Sequence, residues 1–142
     1  MQWPNPNTNE KIIKVDNRTN TYEVAKRLWA FANWSRYVRP GAVRVSTAGA
    51  PSGLRTAAFR NVDGSVAVIA ISSSGSAINA SIRLAGVTPA AVVAYASDNS
   101  RNCQQTASTL AADGTISGSV ASRSITTFFI IPAEASGGGG AT

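Results

Sequence analysis

The residues able to carry acid–base or nucleophilic chemistry are few. Seven carboxylates, one cysteine and no histidine occur in 142 residues. Without histidine no Ser-His-Asp or Cys-His nucleophile can be assembled, and a Cys/His zinc set is out of reach. Cys103 stands alone, so no disulfide closes within the chain. It reads as a small buried or part-exposed thiol, or as one that pairs with a cysteine elsewhere. Glu10 falls in a loop and Glu23 at a helix start, Asp63 and Asp113 precede glycines in turns, and Asp98-Asn99 reads as a loop. A lone carboxylate makes a poor cation cage. No catalytic residue, metal site or cofactor is expected from this set.

Three Asn-X-Ser/Thr tripeptides begin at Asn17, Asn33 and Asn79. They lean toward a secreted, extracellular protein, although Asn33 sits in a segment that reads as a buried helix. The N-terminus lacks the charged-then-apolar pattern of a signal peptide. No apolar run approaches the ~18 residues of a membrane span.

Net charge is +6 and unevenly placed: residues 1–60 hold ten Lys/Arg against three Asp/Glu, residues 61–142 three against four. The basic residues are spread over a loop, a helix and strands, with no interleaved stacking aromatics, so no nucleic-acid partner is expected. At 44% apolar and 14% charged, the chain has the composition of a packed domain.

The elements come in a distinctive order. Residues 1–10 are Pro/Asn-rich loop, and Lys11–Asp16 is a short strand or extended stretch. Asn20 with Glu23 three positions on resembles a capping box, and Glu23 with Arg27 an i,i+4 pair, so a helix is expected from about Asn20 to Tyr37 or Val38. Its apolar residues, Trp29, Phe31 and Trp34 among them, cover most of the circumference. Pro40 stops it and Gly41 allows the reversal. The period then changes to two. Strands are expected at Val43–Ser46, Leu54–Asn61, Val66–Ser72, Ala77–Leu84, Ala91–Tyr95, Thr115–Val120 and Ile125–Ile131, with a weaker one within Cys103–Leu110. Ala77–Leu84 turns Ile78, Ala80, Ile82 and Leu84 to one face. Ile125–Ile131 is apolar on both faces and therefore central. Turns fall at Val62–Ser65, Ser73–Gly75 and Ala112–Gly114. The fold class is mainly β: an antiparallel β-sandwich preceded by one α-helix.

The stretch Trp34-Ser35-Arg36-Tyr37-Val38-Arg39-Pro40-Gly41-Ala42-Val43-Arg44-Val45, followed by Tyr95-Ala96-Ser97-Asp98 and then Ser124-Ile125-Thr126-Thr127-Phe128, resembles the C-terminal end of glycoside hydrolase family 30. That family includes glucosylceramidase-, endo-β-1,6-galactanase- and xylanase-like enzymes. The resemblance covers roughly residues 3–132. It implies a last helix and loop of a (β/α)8 barrel over residues 1–42, a β-sandwich side domain over 43–132 and a Gly-rich tail over 133–142. The helix would lie between barrel and sandwich, which accounts for its lack of a polar side. Trp29, Trp34, Arg36, Tyr37, Arg39, Pro40 and Gly41 would form the helix–sandwich junction. Trp3 would sit at the barrel mouth, as a sugar-stacking ring or as a loop anchor. The retaining pair of glutamates belongs to barrel strands with no counterpart here. The implied role is therefore non-catalytic, bracing the barrel and contacting polysaccharide.

With the barrel as missing partner, Trp29, Phe31 and Trp34 are expected to be largely bare. Each such side chain left in water forgoes roughly 1.5–3 kcal/mol, an incentive to self-associate. The family's sandwich also borrows strand material from before the barrel, so a sheet edge or gap should stand open. Two other classes remain. One is an independent carbohydrate-binding module, which needs exposed aromatic platforms; the other is an adhesion sandwich, which leaves the helix unexplained.

Overall fold

The computed structural model describes residues 11–133. Trp3 and nearly all of the Gly-rich segment lie outside the described residues.

The helix begins later than the capping-box reading places it. Strand β1 (Ile13–Asp16) pairs antiparallel with β2 (Thr21–Val24), setting Ile13 opposite Val24 and Val15 opposite Tyr22. The Thr-Tyr-Glu-Val run alternates and suits a strand, and a partner strand lies four residues upstream; pairing outweighs the local cap. Asn20 takes a positive φ of 52° in the connecting turn and caps nothing. Glu23 is exposed on β2, so its i,i+4 pairing with Arg27 does not form. Helix α1 spans Lys26–Ser35, with Ala25 as a cap that offers no side-chain hydrogen bond. The Ala25 amide instead donates to Ile12 O at 2.9 Å, fastening the hairpin to the helix start.

The chain leaves α1 through a turn. Val38 N donates to Trp34 O at 2.8 Å, and Ala42 N to Arg39 O at 2.9 Å. Gly41 has φ +85°, and a Cβ there would meet Val62 Cγ2 at 2.9 Å, so glycine answers both the backbone and the space.

Nine further strands follow: β3 (Val43–Val45), β4 (Leu54–Arg60), β5 (Val66–Ser72), β6 (Ile78–Ile82), β7 (Pro89–Ser97), β8 (Gln104–Thr106), β9 (Ser108–Leu110), β10 (Ile116–Val120) and β11 (Ile125–Pro132). They form a six-stranded sheet, β3-β4-β5-β11-β7-β8, and a three-stranded sheet, β6-β10-β9. Every pairing is antiparallel. The weak segment after Cys103 is divided between the sheets. Asp63 and Asp113 sit in true hairpin turns. Ser73–Gly75 instead carries the chain from β5 in one sheet to β6 in the other.

Phe128, Ile130, Val66, Val68, Ile116 and Val120 fill the space between the sheets, with Ile78, Ala80, Ile82 and Leu84 packed against them. The sheets approach closely at Gly118, where a Cβ would come 2.5 Å from the Phe128 ring. α1 covers the opposite face of the large sheet. That is why β5 and β11 are apolar on both sides: Ala67, Ile69 and Phe129 face the helix while Val68 and Phe128 face the small sheet.

Candidate functional site

Two asparagines dock α1 and its exit turn onto the sheet. Asn33 is fully buried. Its Nδ2 donates to Trp29 O at 3.0 Å and to Ser97 Oγ at 2.6 Å. Ser97 Oγ donates to Trp29 O and accepts from Cys103 N at 2.9 Å. From β11, Thr127 Oγ1 donates to Asn33 O at 2.7 Å. Asn33 thus ties helix, β7 and β11 together through its side-chain amide and its backbone carbonyl. Asn61, at the end of β4, does the same for the turn: its Oδ1 accepts from Arg39 N at 3.0 Å and its Nδ2 donates to Tyr37 O at 2.8 Å.

The rings pack around these hubs. Tyr37 stacks on Tyr95 at 5.0 Å and lies 5.5 Å from Phe129, with the Arg36 guanidinium over the Tyr37 and Tyr95 rings. Burial, reinforced by the neighbouring Cys103, pushes the Tyr37 phenol above its ordinary range and keeps it protonated. Trp34 meets Phe59 edge-on at 5.9 Å. Arg36 and Arg39 have no carboxylate partner among the described residues; Arg39 donates to Ser35 O at 3.3 Å. Pro40 and Gly41 sit in the exit turn. Of the sandwich aromatics, Phe128 is fully buried, and Phe59, Tyr95 and Phe129 are spent on helix packing. No aromatic platform for a sugar ring is left on the sandwich strands.

The outward side of α1 is different. Phe31 is 56% exposed and Ile71 40%. Phe31, Ala30 and Trp34 of α1 with Ile71 of β5 and Ile125 of β11 line an open groove of about 670 Å³ between helix and sheet, with Lys26, Arg27, Arg123 and the Arg101-paired Asp98 also along it. Trp29 and Trp34 are half-buried rather than bare, because the sheet covers their inner sides. The expectation of broad exposure therefore holds for Phe31 and only in part for the two tryptophans. A second cleft, of about 730 Å³, runs between the edge strand β6 and the Val45–Pro51 segment beside β4. Its wall is the free edge of the small sheet.

Among the described residues, Asp63, Asp98 and Asp113 close turns. Asp98 Oδ1 accepts from Ser100 N at 2.8 Å and Arg101 N at 2.7 Å, while Oδ2 takes both arms of Arg101 at 2.9 and 2.6 Å. Burial raises the carboxyl pKa, but the Arg101 fork and the two amides outweigh it and hold Asp98 far below the carboxylate range. Asp63 is lowered by the Ser65 hydroxyl and amide, and Asp113 by Thr115 with help from Arg83. Asp16 and Glu23 share a face of the exposed hairpin, with Asp16 Oδ1 accepting from Arg18 N. Neither lies in an enclosed site. Cys103 is buried.

A depressed carboxyl pKa contributes stability above the unfolded value of about 4, and that contribution is lost as pH falls below it. Asp98→Asn is therefore expected to lose about 2 kcal/mol at pH 7. The gap to the parent chain should narrow toward pH 3. Urea midpoints at the two pH values check it; a pH-independent gap would rule out the charge as the cause.

Sequence reasoning missed the Asn33–Ser97–Thr127 and Asn61 hubs. The available signal was an asparagine inside an otherwise apolar helix, since a buried amide needs partners. Ser97 and Asp98 lie in one of the segments singled out above, with roles in helix docking and loop closure.

Comparison with known proteins adds to this geometry. The profile of the "Glycosyl hydrolase family 30 beta sandwich domain" matches residues 41–128. The chain is similar to the catalytic domain of family 30 xylanase C from Talaromyces cellulolyticus, at 39% identity and a TM-score of 0.76 over 84% of this chain and 27% of that one. It is also similar to the family 30 subfamily 8 xylanase of Clostridium acetobutylicum, at 25% identity and 0.72, covering 82% and 30%. A family 30 endoxylanase from Clostridium papyrosolvens C71 shares the fold at 24% identity and 0.71, again covering 82% and 30%. The chain thus spans less than a third of the length of these solved relatives.

Proposed function

Because this chain belongs to glycoside hydrolase family 30, as its β-sandwich domain, we propose that it is the non-catalytic C-terminal portion of a retaining glycosidase acting on β-linked glycans. The catalytic unit is a (β/α)8 barrel outside this chain. In this reading residues 1–42 are the barrel's last loop and helix and 43–132 the side domain. Xylan is the leading substrate class, since two relatives at 39% and 25% identity are named xylanases. Trp3, outside the described residues, is proposed as a sugar contact at the barrel mouth. Export belongs to the same reading, because polysaccharides are degraded outside the cell.

One observation carries the bracing role. α1 is pinned by Asn33, and its exit turn by Asn61, yet Phe31 of α1 and Ile71 of β5 stand exposed along a groove between helix and sheet that Lys26, Arg27 and Arg123 also line. A face of this kind calls for an apolar partner bearing carboxylates. The barrel wall is that partner, and the cleft beside β6 takes a further strand of the same protein. When the barrel is absent, the same face drives self-association.

The test is activity with and without the barrel. The chain alone should release no product from aryl β-glycosides, xylan, β-glucan or galactan, and should not bind the insoluble polymers saturably. Added to the product of the contiguous upstream reading frame, it should associate and raise that protein's thermal midpoint. Turnover by the chain alone would overturn the reading. Tight polymer binding would replace it with a carbohydrate-binding module.

A further inference from the structure

We propose that Asn17, at the tip of the β1–β2 hairpin, is an N-glycan acceptor, and that the glycan covers the apolar face beside it. The inference rests on the export reading above. Asn17 and Thr19 bracket Arg18 in an acceptor tripeptide. Asn17 is exposed. The turn's backbone is served by Asp16, whose Oδ1 accepts from Arg18 N at 2.9 Å, so the Asn17 amide is not engaged in holding the turn. The Thr19 hydroxyl lies on the exposed surface, 2.7 Å from that of Thr21.

A second, independent feature sits alongside. Val15 and Tyr22 face each other across the hairpin at 65% and 73% exposure, with Ile13 at 47%. Together with Asn17 they line one shallow depression of about 480 Å³. The apolar faces of pyranose rings stack on aromatic side chains, so a glycan on Asn17 would lie across Tyr22 and Val15 and withdraw them from water.

The other two acceptor tripeptides are poorer. Asn33 is fully buried and hydrogen-bonded, so a glycan there is incompatible with the fold. Asn79 lies in the paired β6 and lines the cleft along that strand, where a glycan would block the cleft.

In the reaction, Asn17 Nδ2 attacks the anomeric carbon of a lipid-diphosphate-linked oligosaccharide. The N-glycosidic bond forms, the bond from that carbon to the phosphate oxygen breaks, the lipid diphosphate leaves, and the nitrogen gives up one proton.

The test is secretion of the full chain from yeast behind a supplied leader, so that its natural export is not what is measured. Glutamyl endopeptidase releases the peptide between Glu10 and Glu23. Treatment with peptide-N-glycosidase should convert Asn17 in that peptide to aspartate, and Asn17→Gln should remove the mass shift. The glycosylated chain should resist trypsin after Arg18 several-fold longer than the deglycosylated one. An unmodified Asn17 in secreted, folded protein would overturn the acceptor assignment. Equal trypsin sensitivity and equal Tyr22 fluorescence with and without the glycan would overturn its covering role.

Discussion

Asn33→Asp is expected to loosen α1 from the sandwich at neutral pH, at a cost of about 4 kcal/mol, against about 2 kcal/mol for Asn33→Ala. The difference follows from what surrounds the side chain. The amide nitrogen points at two acceptors, Trp29 O and Ser97 Oγ, and it is completely enclosed. Alanine removes the donor and leaves Ser97 Oγ to serve Trp29 O by itself. Aspartate puts a buried oxygen where a nitrogen had donated, facing a carbonyl. Its carboxyl would hold its proton to higher pH in the folded state than in the unfolded one. The penalty should therefore shrink as pH falls through that raised pKa toward the unfolded value of about 4. Urea unfolding followed by Trp29 and Trp34 fluorescence at pH 7 and pH 4.5 reads both effects. Against a total of about 5–15 kcal/mol for a domain, a 4 kcal/mol loss is large. If both variants matched the parent chain at both pH values, the helix would be held by something other than this hub.

The sandwich was readable because strand alternation is a local signal. Ile78, Ala80, Ile82 and Leu84 pack inward as their spacing requires, and Ile125–Ile131 lies between β5 and β7 as its two apolar faces demand. The helix start was misplaced because two local rules competed. Asn20 and Glu23 satisfy a capping pattern, while Thr21–Val24 satisfies a strand pattern, and only the position of Ile13–Asp16 decides between them. Asn33 with Ser97, separated by 64 residues, escaped because no local pattern pairs such distant positions. An exposed patch was anticipated at Trp29, Phe31 and Trp34, and only Phe31 stands out to that extent. Most of each tryptophan is covered, packed against a sheet whose helix-facing residues, Ala67 and Phe129 among them, could not be told from inner-core ones before the layers were known.

Phe31→Glu separates the docking reading from a purely structural one. Phe31 is 56% exposed and contributes little to the chain's own core, so the thermal midpoint should move by no more than a degree or two, as for ordinary surface changes. Association with the barrel should fall about thirtyfold, the effect of truncating one central interface residue worth about 2 kcal/mol. Burying an unpaired carboxylate against an acidic partner face would add to that loss. Ile71→Glu, across the groove, should act in the same direction, and Lys26, Arg27 and Arg123 along it should give the association a salt dependence that Phe31 does not share. Titration calorimetry against the barrel and sedimentation of the chain alone measure the two consequences, since self-association through the same face should vanish together with barrel binding. A Phe31→Glu chain that bound the barrel as tightly as before would show that the outward side of α1 is not the docking face, whatever the variant did to stability.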